Sequence, residues 1–166
     1  MRILNAFKII KRSIGYSPKE LAPSVVNIPE VGSLFFCPEA EDYSWSGMVH
    51  NIANDYEVKL TIGSSSIKGP TEDQRNEITR LSSQYLLLKD MLLITLKEYL
   101  AMKGENLPLD DLERMFFWSE VNLNTKLEWS ITLEPSYNVN RSFDFFPKFR
   151  LRGNTITWTS LESPII

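Results

Sequence analysis

The side chains best suited to nucleophilic catalysis are a lone cysteine, Cys37, and a lone histidine, His50. A thiol becomes a strong nucleophile when a base such as imidazole takes its proton. However, His50 falls in a predicted hairpin turn, and Phe35-Phe36-Cys37-Pro38 has the composition of a buried strand end. We therefore expect an exposed histidine and a buried, unreactive cysteine.

The loop Ser64-Ser65-Ser66-Ile67-Lys68-Gly69 precedes a predicted helix, as phosphate-binding loops do. It lacks the order of Gly, Lys and Ser/Thr that defines a P-loop, and we expect its helix to lie outside any βαβ unit. A single histidine excludes metal sites built from several imidazoles, and the acidic residues lack the EF-hand order of carboxylates and turn glycine. The sequence therefore predicts no catalytic residue, no cofactor and no metal, and hence a protein that is not an enzyme.

Carboxylates cluster at two places along the chain. The clusters are Glu39, Glu41 and Asp42, and Asp110, Asp111 and Glu113. Net charge is −3, but residues 1–20 hold five Lys/Arg and one acid, so residues 21–166 alone carry −7. This sign disfavours nucleic acid, which needs a clustered basic face, and suits a basic protein partner. Ordinary solvated surface is the alternative for both clusters.

A long helix is the strongest element in the sequence. Gly69-Pro70-Thr71 followed by Gln74 has the pattern of a capping box at a helix start. Apolar residues then recur every three or four positions, which predicts one central helix over about residues 71–102. Ser82-Ser83 is the expected place for any bend. The second half is apolar nearly all round, so we expect it to be buried on several sides.

Alternating apolar and polar residues predict about seven β-strands. Three precede the helix within residues 33–62, and four follow it within residues 116–160. Turn sequences such as Gly153-Asn154 indicate hairpins. The predicted fold class is α+β, with a mainly antiparallel sheet packed on one long central helix. Most of the tryptophans on these strands should lie in the core, with one or two exposed: Trp45, Trp118, Trp129 and Trp158.

The N-terminal part differs from this body. Residues 1–14 have apolar residues at helical spacing and basic residues on the other side, which predicts a short amphipathic helix. Prolines then indicate an extended connector up to residue 30, and we expect a single domain over residues 1–166 with its body at 31–166. Membrane contact by residues 1–14 is a weaker alternative to docking on the body.

Localisation is predicted from cysteine use and hydropathy. One cysteine cannot form an internal disulfide, which favours a reducing compartment. Apolar runs fall short of the ~20 residues that span a bilayer, and the N-terminus lacks the pattern of a secretory signal. We therefore expect a cytoplasmic protein.

Several motifs together resemble a group of bacterial domains. A strand precedes the Gly-Pro-Thr-x-x-Gln helix start, the long helix ends in Glu98-Tyr99-Leu100, and a meander containing Trp129 follows. This order, over roughly residues 42–160, is similar to uncharacterised bacterial domains encoded beside polymorphic toxins. Some of those domains resemble immunity proteins of polymorphic or contact-dependent toxin systems. The resemblance implies toxin binding, and it transfers no functional residue.

Two function hypotheses follow from these observations. The first is a non-enzymatic protein-binding module, an immunity protein that neutralises a basic toxin domain through the two acidic clusters. The alternative is a small-ligand-binding or hydrolytic domain that uses the sheet face opposite the helix, near Glu120, Glu128, Arg150 and Arg152. Partner identity and oligomeric state stay open.

Overall fold

The computed structural model describes residues 25–29, 31–37, 43–53, 56–64, 68–136 and 145–162. These residues form an eight-stranded mixed sheet with three helices, so the class is α+β. The helix predicted over residues 1–14 lies outside the described residues, as does the acidic cluster of Glu39, Glu41 and Asp42.

The strands lie in the sheet in chain order. They are Val25–Ile28 (β1), Gly32–Cys37 (β2), Tyr43–Ala53 (β3), Tyr56–Ser64 (β4), Phe116–Leu123 (β5), Glu128–Pro135 (β6), Phe146–Arg152 (β7) and Thr155–Glu162 (β8). Neighbours are antiparallel except β4 and β5, which are parallel. The sheet therefore consists of two four-stranded meanders joined by one parallel pair. The prediction of a mainly antiparallel sheet of about seven strands missed β1 and this parallel joint.

Three helices connect the two parallel strands. They are Glu72–Ser83 (α1), Tyr85–Met102 (α2) and Leu109–Met115 (α3). Parallel neighbours need such a crossover, because the chain must return to the same end of the sheet before the second strand begins. The expectation that the helix lies outside any βαβ unit is therefore wrong. No helix of the described residues combines the length and apolar content needed to span a membrane.

The prediction of one long central helix over residues 71–102 is wrong, because the helix is divided at Gln84. The backbone of Gln84 has φ −107° and ψ 12°, outside the helical region. The hydroxyl of Ser83, just before the break, donates to the carbonyl of Arg80 at 2.8 Å. Serine hydroxyls that bond to the preceding turn bend helices. The division lies one residue beyond the Ser82-Ser83 pair where a bend was expected.

The helix α2 is buried on one side only. Its inward residues are Tyr85, Leu88, Leu92, Leu93, Leu96 and Leu100. On the opposite side, Leu86, Leu87 and Ile94 are 64%, 61% and 47% exposed. The expectation that this segment is buried on several sides is therefore wrong, since an apolar residue in sequence does not specify which face a sheet will cover.

The core lies between the helices and one face of the sheet. Buried residues alternate along the strands, for example Val58, Leu60 and Ile62 in β4, because successive side chains of a strand point to opposite faces. We call this the covered face, and the opposite one the open face. Three of the tryptophans are buried, and Trp158 is 40% exposed, which confirms the expected division.

Gln74 fastens the start of α1 to the ends of the parallel strands. Its side-chain amide donates to the carbonyl of Gly63 at 2.5 Å and to that of Asn124 at 3.5 Å. The predicted capping box is confirmed: the Gln74 N–H donates to Thr71 Oγ1 at 3.3 Å, and Gln74 Oε1 accepts from the Thr71 N–H at 3.0 Å. One buried glutamine thus caps the helix and positions it over the parallel pair.

Glu77 ties α1 to the second meander. Its carboxylate accepts hydrogen bonds from Trp129 Nε1 at 3.2 Å and from Arg80 at 2.7 Å. Arg80 also donates to the side chain of Asn154 in the turn between β7 and β8. The hydrogen bond from Arg80 lowers the pKa of Glu77, burial opposes this shift, and the bond from Trp129 adds to it.

Candidate functional site

The acidic cluster of Asp110, Asp111 and Glu113 lies on α3. Asp111 pairs with Arg114 at 2.5 Å, and Glu113 pairs with Lys89 of α2 at 2.6 Å. The hydrogen bond and the charge of Lys89 lower the pKa of Glu113. Two of the three carboxylates are therefore compensated within the chain. This leaves Asp110 as the one member of the cluster with no ion pair among the described residues.

His50 and Cys37 are too far apart to act as base and nucleophile. Cys37 lies opposite Ser44 in the β2–β3 register, and His50 is six residues further along β3, about 20 Å away at the rise of a strand. The His50 side chain is 74% exposed, as expected, and lies 3.1 Å from Glu57. Its predicted place in a hairpin turn is wrong, because His50 lies within β3. Cys37 is only partly buried, so the expectation of a buried cysteine is wrong.

One row of side chains crosses the open face from edge to edge. The strand registers place one residue of each strand opposite the next. In order from β1 to β8 they are Val25, Phe35, Ser46, Thr61, Asn122, Ser130, Arg150 and Trp158. We call this set the central row. Its two ends are apolar and its middle is polar, with Ser46 and Thr61 joined by a hydrogen bond of 3.0 Å.

A cleft of about 510 Å³ lies over β4–β7 on the open face. Polar side chains dominate its lining: Thr61, Asn122, Asn124, Glu128, Ser130, Lys148 and Arg150. We call it the Arg150 cleft. Two of the four residues named for the ligand-binding alternative, Glu128 and Arg150, line it. A third, Arg152, pairs with Glu128 at 2.7 Å.

A second, smaller depression of about 380 Å³ lies beside the cleft, toward the other strand ends. Its lining consists of Met48, Glu57, Lys59, Phe117, Ser119, Glu120 and Glu134. We call it the acidic depression, because three carboxylates face one ammonium there. Lys59 pairs with Glu120 at 2.9 Å. The fourth residue named for the alternative, Glu120, therefore lies outside the Arg150 cleft.

The cations of the Arg150 cleft differ in their partners. Lys148 pairs with Glu162 at 3.3 Å. Within the described residues, Arg150 has no carboxylate partner, and its guanidinium carbon lies 4.9 Å from the centre of the Trp158 ring. Its neighbour across the β6–β7 ladder, Ser130, has a buried hydroxyl with no hydrogen-bond partner in the part of the chain that the structure describes. Within that part, the cleft therefore contains one cation that has no carboxylate partner and that contacts an aromatic ring.

The carboxylate of Glu128 is hydrogen-bonded to two neighbouring side chains of the same chain. Its carboxylate accepts from the side-chain amide of Asn124 at 3.1 Å and from Arg152 at 2.7 Å. The hydrogen bond from Asn124 lowers the pKa of Glu128, burial opposes this shift, and the charge and hydrogen bond of Arg152 add to the lowering. At neutral pH Glu128 is therefore an ionised carboxylate that is already paired.

Sequence reasoning missed Asn122, Ser130 and Trp158 as parts of this site. Strand alternation puts each on the open face, and this was readable from the sequence. What brings them together is the register of four strands, and a single sequence carries no signal for that.

In the ranges the structure describes, no three His, Cys, Asp or Glu side chains form a metal-binding group.

Comparison of the chain with protein-family models, with curated proteins and with solved structures finds no significant match. The resemblance to immunity proteins therefore stays a prediction from sequence motifs.

Proposed function

We propose that this protein is a non-enzymatic protein-binding module and that the open face of its sheet is the interface. The observation that carries this proposal is the one-sided cover of the sheet: the described helices pack on one face, and a side chain of every strand lines the other. Apolar residues on the open face are strongly exposed, with Val25 at 55%, Phe35 at 54%, Met48 at 53% and Trp158 at 40%.

The dimensions of the open face suit a protein better than a small molecule. Eight strands spaced ~4.8 Å apart give a width of roughly 35 Å, and strands of this length extend about 20 Å. The resulting area is of the order of the ~800 Å² that each partner buries in a standard interface. Ligand pockets instead enclose about 70–90% of their ligand, whereas both depressions on this face are open.

Composition supports the same proposal. Aromatic residues, methionine and arginine are enriched in the centres of protein interfaces, and Phe35, Met48, Arg150 and Trp158 all lie on the open face. Charges of both signs surround them, so a partner must place its own charges to match. Such matching of charges contributes more to the specificity and the association rate of an interface than to its affinity.

For the partner we propose a bacterial toxin domain, on the strength of the motifs that resemble immunity proteins. The acidic depression then receives basic side chains of that domain, because Glu57, Glu120 and Glu134 outnumber Lys59. Asp110, Asp111 and Glu113 contribute less than the sequence suggested, because two of these three carboxylates already have cations of the same chain as partners.

The test is co-expression of the full chain with the toxin domain encoded by an adjacent gene. Complex formation is measured by size-exclusion chromatography, and neutralisation by growth of the host. Phe35→Glu should weaken the complex at least about tenfold, the loss typical of a residue that contributes strongly to an interface. Leu87→Glu is the matched control, because Leu87 is similarly exposed at 61% but lies on α2, away from the sheet.

Two results would contradict the proposal. One is the absence of both a complex and growth rescue with every adjacent toxin domain. The other is a complex that is weakened by Leu87→Glu and not by Phe35→Glu, which would indicate that the interface lies on the helical side.

A further inference from the structure

We propose that the Arg150 cleft is a binding site for a single carboxylate group. Arg150 is its anchor, and Trp158, Asn122 and Ser130 complete it. Carboxylate binding here does not require the protein partner proposed above, because all of these residues belong to one face of one chain. The site therefore exists even if the open face has no macromolecular partner.

The position of Arg150 prepares it for a planar oxyanion. Its guanidinium lies 4.9 Å from the Trp158 ring centre, a distance typical of a cation–π contact. Among the described residues, no carboxylate pairs with its N–H groups. These groups form a rigid fork whose two parallel donors match the two oxygens of a carboxylate.

The charges around the cleft select a monoanion. Lys148 is paired with Glu162, and Arg152 is paired with Glu128. Among the described residues, this leaves the one positive charge of Arg150 to be balanced. A carboxylate carries a charge of −1 and balances it, whereas a phosphoryl group carries about −1.5 to −2 at neutral pH. The second negative charge of a phosphoryl group would have no cation to balance it and would lie near the ionised Glu128.

Neutral donors beside Arg150 favour the same ligand. Asn122 lies opposite Ser130, and Ser130 lies opposite Arg150. In each of these two pairs, the β-carbons are about 5.5 Å apart or closer. The Ser130 hydroxyl is buried and has no hydrogen-bond partner among the described residues. Asn122 is partly exposed, and a carboxylate bound to Arg150 brings an acceptor to its side-chain amide.

The carboxylate has two possible sources: a free small acid, or an Asp or Glu side chain of a protein. The experiment separates them by NMR with ¹⁵N-labelled full chain. Indole N–H signals are followed during titration with sodium acetate, with sodium chloride at equal ionic strength as reference. A second arm uses the blocked peptide acetyl-Gly-Gly-Glu-Gly-Gly-amide and its Gln counterpart. The Trp158 signal is assigned with Trp158→Phe.

The expected result is a saturable shift of the Trp158 indole with acetate, with the Glu peptide, or with both, and none with chloride or the Gln peptide. Arg150→Gln should weaken this binding at least about tenfold, as loss of a charge-assisted bond implies. Arg114→Gln is the matched control. It removes the same charge from an exposed arginine of α3 that pairs with Asp111, away from the open face, so binding should change less than about twofold.

The source follows from the two arms: tighter binding of the Glu peptide indicates a protein carboxylate, and equal or tighter binding of acetate a free acid. Three results would overturn the site. Acetate and chloride could cause the same shift, the two arginine variants could weaken binding equally, or inorganic phosphate could bind more tightly than acetate. The dispersion of the amide spectrum confirms that each variant is folded.

Discussion

The two faces of the sheet are made by the same strands and differ in almost every physical property. The covered face carries Trp45, Trp118, Trp129 and Phe149, each at most 2% exposed. The open face carries the central row, in which hydroxyl, amide and guanidinium groups separate exposed apolar ends. Burial therefore determines stability on one face, and accessibility leaves the other available for binding. Substitutions on the two faces should have effects of different kinds.

The largest contrast should come from removing one aromatic ring on each face. Phe149→Ala empties a fully buried site and should lower the free energy of unfolding by about 3–5 kcal/mol. Trp158→Ala, on the adjacent strand, removes a larger but exposed ring and should cost less than about 1 kcal/mol. Urea unfolding followed by circular dichroism measures both values. Equal losses would show that the open face is also a structural surface.

The carboxylate of Glu77 should be the next most important group on the covered face. Glu77→Gln keeps the shape but removes the charge that Arg80 and Trp129 recognise, and should cost about 1–2 kcal/mol at pH 7. Because the pKa of Glu77 is lowered in the folded state, its contribution is complete above the unfolded pKa of about 4.5. It is lost as pH falls through the folded pKa.

The difference in unfolding free energy between the wild type and Glu77→Gln should therefore be constant near neutral pH and shrink below pH ~4.5. Chemical denaturation at a series of pH values measures it. A difference that grows on acidification would mean that Glu77 is not held as an ionised carboxylate.

A loss of similar size is expected at Gln74, where α1 begins. Gln74→Ala removes half of the capping box and the bond to the Gly63 carbonyl, so it should cost about 1–2 kcal/mol. Thr71→Ala removes the other half of the box but leaves the bond to Gly63, and should cost about 1 kcal/mol or less. Thermal unfolding of the two variants separates capping from attachment. If the two losses are equal, the contact with β4 contributes little.

The smallest effect should be on the open face, at the pair of Lys59 and Glu120. Both side chains are partly exposed, at 56% and 34%, and such pairs contribute about 0–1 kcal/mol. A double-mutant cycle with Lys59→Ala and Glu120→Ala should give a coupling energy in this range. A coupling well above it would indicate that the acidic depression is more enclosed than its exposed side chains suggest.

The parts of the fold that were predictable from sequence are those fixed by neighbours in the chain. Thr71 and Gln74 are three residues apart, and the Gly153-Asn154 turn joins two adjacent strands, so local chemistry specifies both. The parallel pairing of β4 with β5 joins Leu60 to Val121. Nothing local encodes such a contact, and the sheet was therefore predicted to be mainly antiparallel.

The candidate site also depends on contacts between residues that are distant in sequence. Asp110, Asp111 and Glu113 were found because they are close in sequence, but the partner of Glu113 is Lys89, which only the packing of α3 on α2 brings near. Arg150 was named from its place on the open face. Its environment depends on the register of neighbouring strands, and Trp158 faces it only because β7 and β8 pair as they do.

The parallel pair of β4 and β5 also has a consequence for the order of folding. Each meander forms from contacts between strands adjacent in sequence, whereas the joint between them must close a loop of roughly sixty residues, which is slow. The central row crosses this joint between Thr61 and Asn122. We therefore expect the two meanders to form early and the complete row to appear only in the last step. Binding competence would then report that the whole chain has folded.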